Sequence, residues 1–143
     1  MDAGRARSLF AGARVARLAT ADAGGVPRLV PVTFAVLGDV VVSAVDHKPK
    51  STYDLRRLRD IRANPRVSLL ADHYEDDWTR LWWARADGTA TVHEGGHADG
   101  HEGGHEAALR ALAGKYEQYR SRPPEGPLIV VAVSRWSGWA YSG

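Results

Sequence analysis

Residues 27–45 read PRLVPVTFAVLGDVVVSAV. Two runs rich in valine flank Gly38 and Asp39, a dipeptide that favours a turn. In the first run Leu29, Pro31, Thr33 and Ala35 fall on one side of an extended chain, and Val30, Val32, Phe34 and Val36 on the other. That alternation predicts strands rather than a helix. Pro31 has no N–H to give a neighbouring strand, so its strand belongs at an edge or a bulge.

The same signals continue outward. Val15 to Thr20 reads as a strand, and Asp22 to Gly25 as a hairpin turn. Residues 3–13 form a short amphipathic helix with Leu9 and Phe10 as anchors. A helix runs from about Thr52 to Ala63, opened by the capping-box pattern of Ser51 to Asp54 and closed by Asn64 and Pro65. Residues 66–74 are a strand and 75–79 a loop. Residues 80–92 read as a strand pair turning at Asp87 and Gly88. Ala107 to Tyr119 is an amphipathic helix with Leu109, Leu112 and Tyr116 on one face. Residues 121–127 turn, and 128–141 form a last, mostly buried strand. Six or seven strands in hairpins with two or three short helices exclude a doubly wound parallel sheet. They predict a mainly β protein, a small antiparallel barrel with helices at its ends. No linker interrupts residues 1–143, which form a single domain.

Hydrophobic residues make up 44% and charged residues 25% of the 143, the balance of a globular protein. A net charge of +2 is too small to argue for nucleic acid. With no cysteine, disulfides, thiol catalysis and cysteine-held metals are excluded. The arginine-dotted N-terminal residues match neither a signal peptide nor a membrane span, and a cytoplasmic protein is expected.

Residues 93–106, HEGGHADGHEGGHE, place histidines at 93, 97, 101 and 105. On a helix these imidazoles would share one face and could hold zinc or nickel. Gly95, Gly96, Gly100, Gly103 and Gly104 oppose such a helix by about 1 kcal/mol each. His93 to His97 repeats as His101 to His105, which points to a tandem duplication in a tolerant surface loop. The preferred reading is a polar connection with no metal.

HKPKST, residues 47–52, is more informative. Lys48 and Lys50 precede a helix capped by Ser51 or Thr52, where free N–H groups and the helix dipole favour a phosphate. The alternative is two solvated lysines beside an ordinary cap. The Gly-rich order of a P-loop is missing. Five tryptophans stand at 78, 82, 83, 136 and 139. Trp82 and Trp83 must point to opposite faces of their strand, one to a core and one to a partner or a flat ligand. His47 and His73 read as satisfied polar residues. No HExxH, GxSxG or GxGxxG occurs, so chemistry here would be carried by a cofactor.

Taken in order, residues 17–34 (RLATADAGGVPRLVPVTF), 47–74 (HKPKSTYDLRRLRDIRANPRVSLLADHY) and 76–92 (DDWTRLWWARADGTATV) resemble the pyridoxamine-phosphate-oxidase-like split β-barrel proteins. Within them the chain is most similar to the F420-dependent branch of the flavin/deazaflavin oxidoreductases. The resemblance implies a six-stranded antiparallel split β-barrel of the FMN-binding type. It implies a homodimer with two cofactor sites along the interface, taking F420 or, alternatively, FMN. It sets Pro31, Val32 and Thr33 beside the ring system, with Ser43, Ala44 and Val45 lining the groove from the next strand. Lys48, Lys50 and Ser51 match the segment that receives the phosphate-bearing tail. Trp83 and Arg85 lie where the pocket closes, and Trp136 and Trp139 on the last strand would serve the other protomer. The histidine run departs from the family pattern. The implied activity is hydride transfer between reduced F420 and an electron-poor small molecule, an enone or quinone-like acceptor, with no side chain assigned as catalytic. Alternatives are a non-catalytic F420 or FMN carrier, an FMN-dependent oxidase of the pyridoxamine phosphate type, and last a metal-binding module. Neither nucleic acid nor membrane is an expected partner.

Overall fold

The computed structural model describes residues 1–45, 56–94 and 102–143. Strands β1 (Ala16–Ala21) and β2 (Pro27–Val32) form the first hairpin. Its turn is made by Asp22, whose Oδ1 accepts the N–H groups of Gly24 at 2.9 Å and Val26 at 3.0 Å. Gly25 supplies the positive φ of 86° that the turn needs. The Val26 N–H, with that of Gly24 and the Arg28 guanidinium, holds the Asp22 carboxyl below the usual carboxylate range.

Helix α1 (Ala3–Gly12) precedes this hairpin, capped by Asp2, whose Oδ1 accepts from the Arg5 N–H at 2.8 Å. After β2 come β3 (Ala35–Leu37), β4 (Val40–Ala44), α2 (Arg56–Ala63) and β5 (Arg66–His73). A single 3-10 turn (Trp78–Arg80) leads into β6 (Trp82–His93), followed by α3 (Glu102–Lys115), α4 (Glu117–Ser121) and β7 (Leu128–Ala140). The strands form one antiparallel sheet in the order β2-β1-β5-β6-β7-β4-β3. The two ends, β2 and β3, are not paired with each other among the described residues. Pro31 therefore sits on an edge strand, as its missing N–H requires.

The architecture is mainly β and antiparallel, with seven strands among the described residues where the family resemblance implies six. The extra strand arises because residues 27–37 break at Thr33 and Phe34. Ser43 Oγ donates to the Thr33 carbonyl at 2.7 Å, and the Phe34 N–H donates to the Tyr116 hydroxyl at 3.1 Å. Those two backbone groups are satisfied by side chains rather than by a ladder, and the chain bends there.

Two further expectations are corrected. Asp87 and Gly88 are not a turn but lie inside the 12-residue β6. The partner of Asp87 is Arg135 and that of Gly88 is Val133, so β7 carries an extra residue, Ser134, as a bulge. A Cβ on Gly88 would lie 2.2 Å from the Ala132 carbonyl oxygen, so only glycine fits. The helix expected over 107–119 is two helices with a break at Tyr116, and α3 begins at Glu102, inside the histidine run. Burial of His105, Ala108 and Leu112, one stripe of α3, outweighs the propensity cost of its glycines.

The core has two parts. Phe10, Leu18, Phe34, Val41, Val45, Leu58, Ile61, Leu69, Ile129 and Val131 pack beneath α1 and α2. Val42, Ala44, Ala108, Leu112, Tyr116, Tyr119 and Leu128 pack beneath α3 and α4. Strand β4 contributes to both and is buried on both faces. Helix α2 is fastened by a buried carboxylate. Arg28 Nη1 donates to both oxygens of Asp60, at 3.1 and 3.0 Å, and Thr20 Oγ1 donates to Oδ2 at 3.1 Å. No helix among the described residues is long and apolar enough to cross a membrane.

Candidate functional site

Side chains that alternate inward along β1, β5 and β6 fill the core, so their neighbours must face out. Val67, Leu69 and Ala71 are buried, as are Ala84 and Ala86. Ser68, Leu70 and Asp72 on β5, and Trp83, Arg85 and Asp87 on β6, therefore share the outer face. Cross-strand pairing extends it: Arg17 and Pro31 lie in register with Leu70, and Trp139 pairs with Trp83. This face is apolar for an exposed one. Leu29 is 70% exposed, Tyr74 63% and Trp139 41%. Large exposed apolar side chains thus alternate with charged ones across this face.

A depression of about 420 Å³ opens on this face, lined by Leu70, Asp72, Tyr74, Trp83 and Arg85. Its volume is that of a small-molecule site. The Arg85 guanidinium lies 5.6 Å from the centre of the Trp83 ring, and Arg85 Nε donates to Asp87 Oδ2 at 3.1 Å. Ser68 Oγ in turn donates to Asp87 Oδ1 at 2.5 Å. Asp87 thus pins Arg85 against the indole, which fixes a cation beside an aromatic floor. Arg17, Arg66, Arg85 and Arg135 on this face outweigh Asp72 and Asp87 among its described residues. The face as a whole is therefore net positive, although the depression itself is lined by one arginine and one aspartate.

The sequence-derived site residues separate into groups. Pro31, Trp83, Arg85 and Trp139 come together on the outer face. Val32 is buried just beneath it. Thr33 lies at the bend, where its hydroxyl meets the Tyr119 hydroxyl at 2.7 Å. Ser43, Ala44 and Val45 are buried within this chain, Ala44 beneath α3. Trp136 points inward, edge-on to Phe10 with ring centres 5.5 Å apart, and its Nε1 donates to Asp39 Oδ1 at 2.9 Å. Lys48, Lys50 and Ser51 lie outside the described residues, as do His47, Thr52, His97 and His101. Trp82 packs against the core while Trp83 faces out, as their adjacency demands. His73 Nε2 meets Glu75 Oε2, so this histidine is a satisfied polar residue. Sequence reasoning passed over Leu70, Asp72, Tyr74 and Asp87. The signal was present, since alternation places 68, 70 and 72 in phase with 83, 85 and 87 once β5 and β6 are paired.

Beside the bend, α3 ends on a half-buried amine. Lys115 Nζ lies 3.6 Å from the Phe34 ring centre and donates to the Ala11 carbonyl at 3.1 Å. Burial, with the nearby Arg14 charge adding, lowers its pKa from 10.5 to about 8. Between those values the folded chain binds fewer protons here than the unfolded chain, so the stability this group contributes rises with pH across that window. Burial raises the Tyr116 phenol above 10.0, so its contribution falls as pH rises above 10. The melting temperature should therefore climb by a few degrees between pH 7.5 and 9.5, about 1 kcal/mol at most given the amine's partial exposure. Differential scanning calorimetry of Lys115→Met checks this, and the climb should be absent in that variant.

Comparison with known proteins follows the same lines. The family model for pyridoxamine 5'-phosphate oxidase matches residues 3–140. No curated protein matches the chain by sequence. Among solved structures, a FAD-binding protein from Mesorhizobium loti is 21% identical, with a TM-score of 0.70 over 96% of this chain and 94% of that one. A conserved hypothetical protein from Mycobacterium tuberculosis is 17% identical, with a TM-score of 0.74 over 99% of this chain and 86% of the other. A protein described as an F420 reductase is 20% identical, with a TM-score of 0.64 over 92% and 94%. At these identities the likeness is one of fold.

Proposed function

Because the chain belongs to the pyridoxamine 5'-phosphate oxidase family, we propose that it is an oxidoreductase that holds the deazaflavin F420 on the outer face of its sheet. The acceptor is an electron-poor small molecule, an enone or a quinone-like compound. The observation that carries this reading is the Trp83–Arg85 pair, an indole floor with a pinned cation beside it, on an open and net basic face. A flat anionic ligand suits both features: the ring lies on apolar surface and the charge meets arginine. The solved relatives described as an F420 reductase and a FAD-binding protein support the same class of ligand.

A bound deazaflavin supplies a ring carbon that exchanges hydride. The chain's own part is to bind, orient and exclude water. Trp83, Pro31 and Leu70 provide the apolar bed, and Arg85 fixes the orientation of the anionic group. Lys48, Lys50 and Ser51, which lie outside the described residues, receive the tail in this reading, as the family resemblance implies. No side chain is required as acid or base, since a solvent proton can complete the reduction. The apolar outer face is covered by a second copy, which makes paired split barrels with a site at each edge of the interface. The working compartment in this reading is the cytoplasm.

FMN in place of F420, or binding with no turnover, uses the same surface. Fluorescence titration of the purified protein with each cofactor separates the first, and turnover with a panel of enones and quinones separates the second. Micromolar binding of F420 with steady reduction of one acceptor class is expected. Binding of neither cofactor sinks the proposal. Lys50→Glu should weaken cofactor binding by about 2 kcal/mol, through lost attraction and new repulsion toward the tail. An unchanged affinity means the tail rests elsewhere.

A further inference from the structure

The bend at Thr33 and Phe34 is held by side chains at three polar points. Ser43 Oγ donates to the Thr33 carbonyl at 2.7 Å, and the Phe34 N–H donates to the Tyr116 hydroxyl at 3.1 Å. The two ends of one peptide plane are thus gripped from β4 and from the break between α3 and α4. The Tyr116 hydroxyl also donates to the Arg14 carbonyl at 2.9 Å, so both its acceptor and donor capacity are used. The Tyr119 and Thr33 hydroxyls meet at 2.7 Å, and the two tyrosine rings pack edge to face with centres 5.7 Å apart.

Strand β2 makes this grip consequential. Among the described residues it is an end strand of the sheet, with a ladder to β1 on one side. Its C-terminal end, Pro31 and Val32, runs straight into the bend. The ladder fixes β2 along one edge, and the bend fixes the angle at which Pro31 leaves the sheet beside Arg17 and Leu70. We infer that Tyr119, with Tyr116, is a positioning residue: through Thr33 it sets where the Pro31 segment stands over the cofactor face. This rests on the cofactor-binding reading above.

Tyr119→Phe removes the hydroxyl and keeps the ring pair. Cofactor affinity should fall about 10-fold, the scale of one lost buried hydrogen bond, while the protein stays folded at the assay temperature. The apparent KM for cofactor should rise with kcat little changed. Thr33→Val should match it, and the double variant should bind no more weakly than either single one, because all three remove the same bond. Thr33→Ser, which keeps a hydroxyl, should retain wild-type affinity. A lowered melting temperature with unchanged affinity in both single variants makes the contact purely structural and overturns the positioning role. Wild-type protein that binds neither F420 nor FMN overturns the cofactor reading itself, and the positioning role falls with it.

Discussion

Asp60→Ala should destabilise the protein by about 3–5 kcal/mol, enough to lower the melting temperature by roughly 10 °C. The Asp60 side chain is only 5% exposed and the Arg28 side chain 26%. Truncation leaves the guanidinium half-buried with Asp22 alone, at 3.3 Å, and leaves the Thr20 hydroxyl without its acceptor. The cost comes from those stranded groups more than from the lost attraction, which partial burial largely offsets by desolvation. Replacing both ends tests that division. The pair Asp60→Leu with Arg28→Met should recover most of the loss, and urea unfolding at neutral pH reads the coupling directly. A coupling below about 0.5 kcal/mol would place the pair among surface contacts and contradict the burial described here. The same carboxylate ties α2 to both β1 and β2. It therefore sets how the arginine-bearing helix lies beside the first hairpin.

Much of the fold was legible locally because its signals are local. Alternation in 27–32 and 66–73, the Asp22 turn, and the Asn64–Pro65 stop each act over a few residues. What failed had distant causes. Gly88 looked like a turn glycine, yet it is required by the Ala132 carbonyl 44 positions further along the chain, pressed against it by the bulge at Ser134. The break at Thr33 is made by Tyr116, Tyr119 and Ser43, none of which is adjacent in sequence. Helix α3 starts amid glycines because its inner stripe is buried against β3 and β4, a tertiary gain that propensity cannot register.

The site was partly legible for a similar reason. Trp83 and Arg85 stand two residues apart on one strand, so their common face follows from strand geometry alone. Asp87 follows by the same step and was passed over because it was assigned to a turn. Leu70 and Asp72 required the pairing of β5 with β6, which places Leu70 opposite Arg85 and Asp72 opposite Trp83. Trp136 and Trp139, three residues apart, cannot share a face of one regular strand. The structure sends the first to Phe10 and the second outward.

Arg85→Glu should weaken cofactor binding on the order of 100-fold, about 3 kcal/mol, more than the change at Lys50. Lysine is a flexible point charge, whereas the Arg85 guanidinium is already oriented by Asp87 at 3.1 Å and rests by the Trp83 ring, so little ordering is left to be done on binding. Reversal removes that prepared cation and sets three carboxylates, with Asp72 and Asp87, around the depression. Arg85→Gln, which only removes charge, should lose about half as much free energy. Both variants should stay folded, since the Arg85 side chain is 41% exposed and its pair with Asp87 contributes little to stability. The readout is quenching of tryptophan fluorescence on titration with F420 and with FMN at two salt concentrations. Wild-type affinity should fall as salt rises, and that dependence should be weaker in Arg85→Gln. If both variants bind as tightly as wild type, the anionic group is not held at this face. The Trp83 surface would then serve the second copy alone.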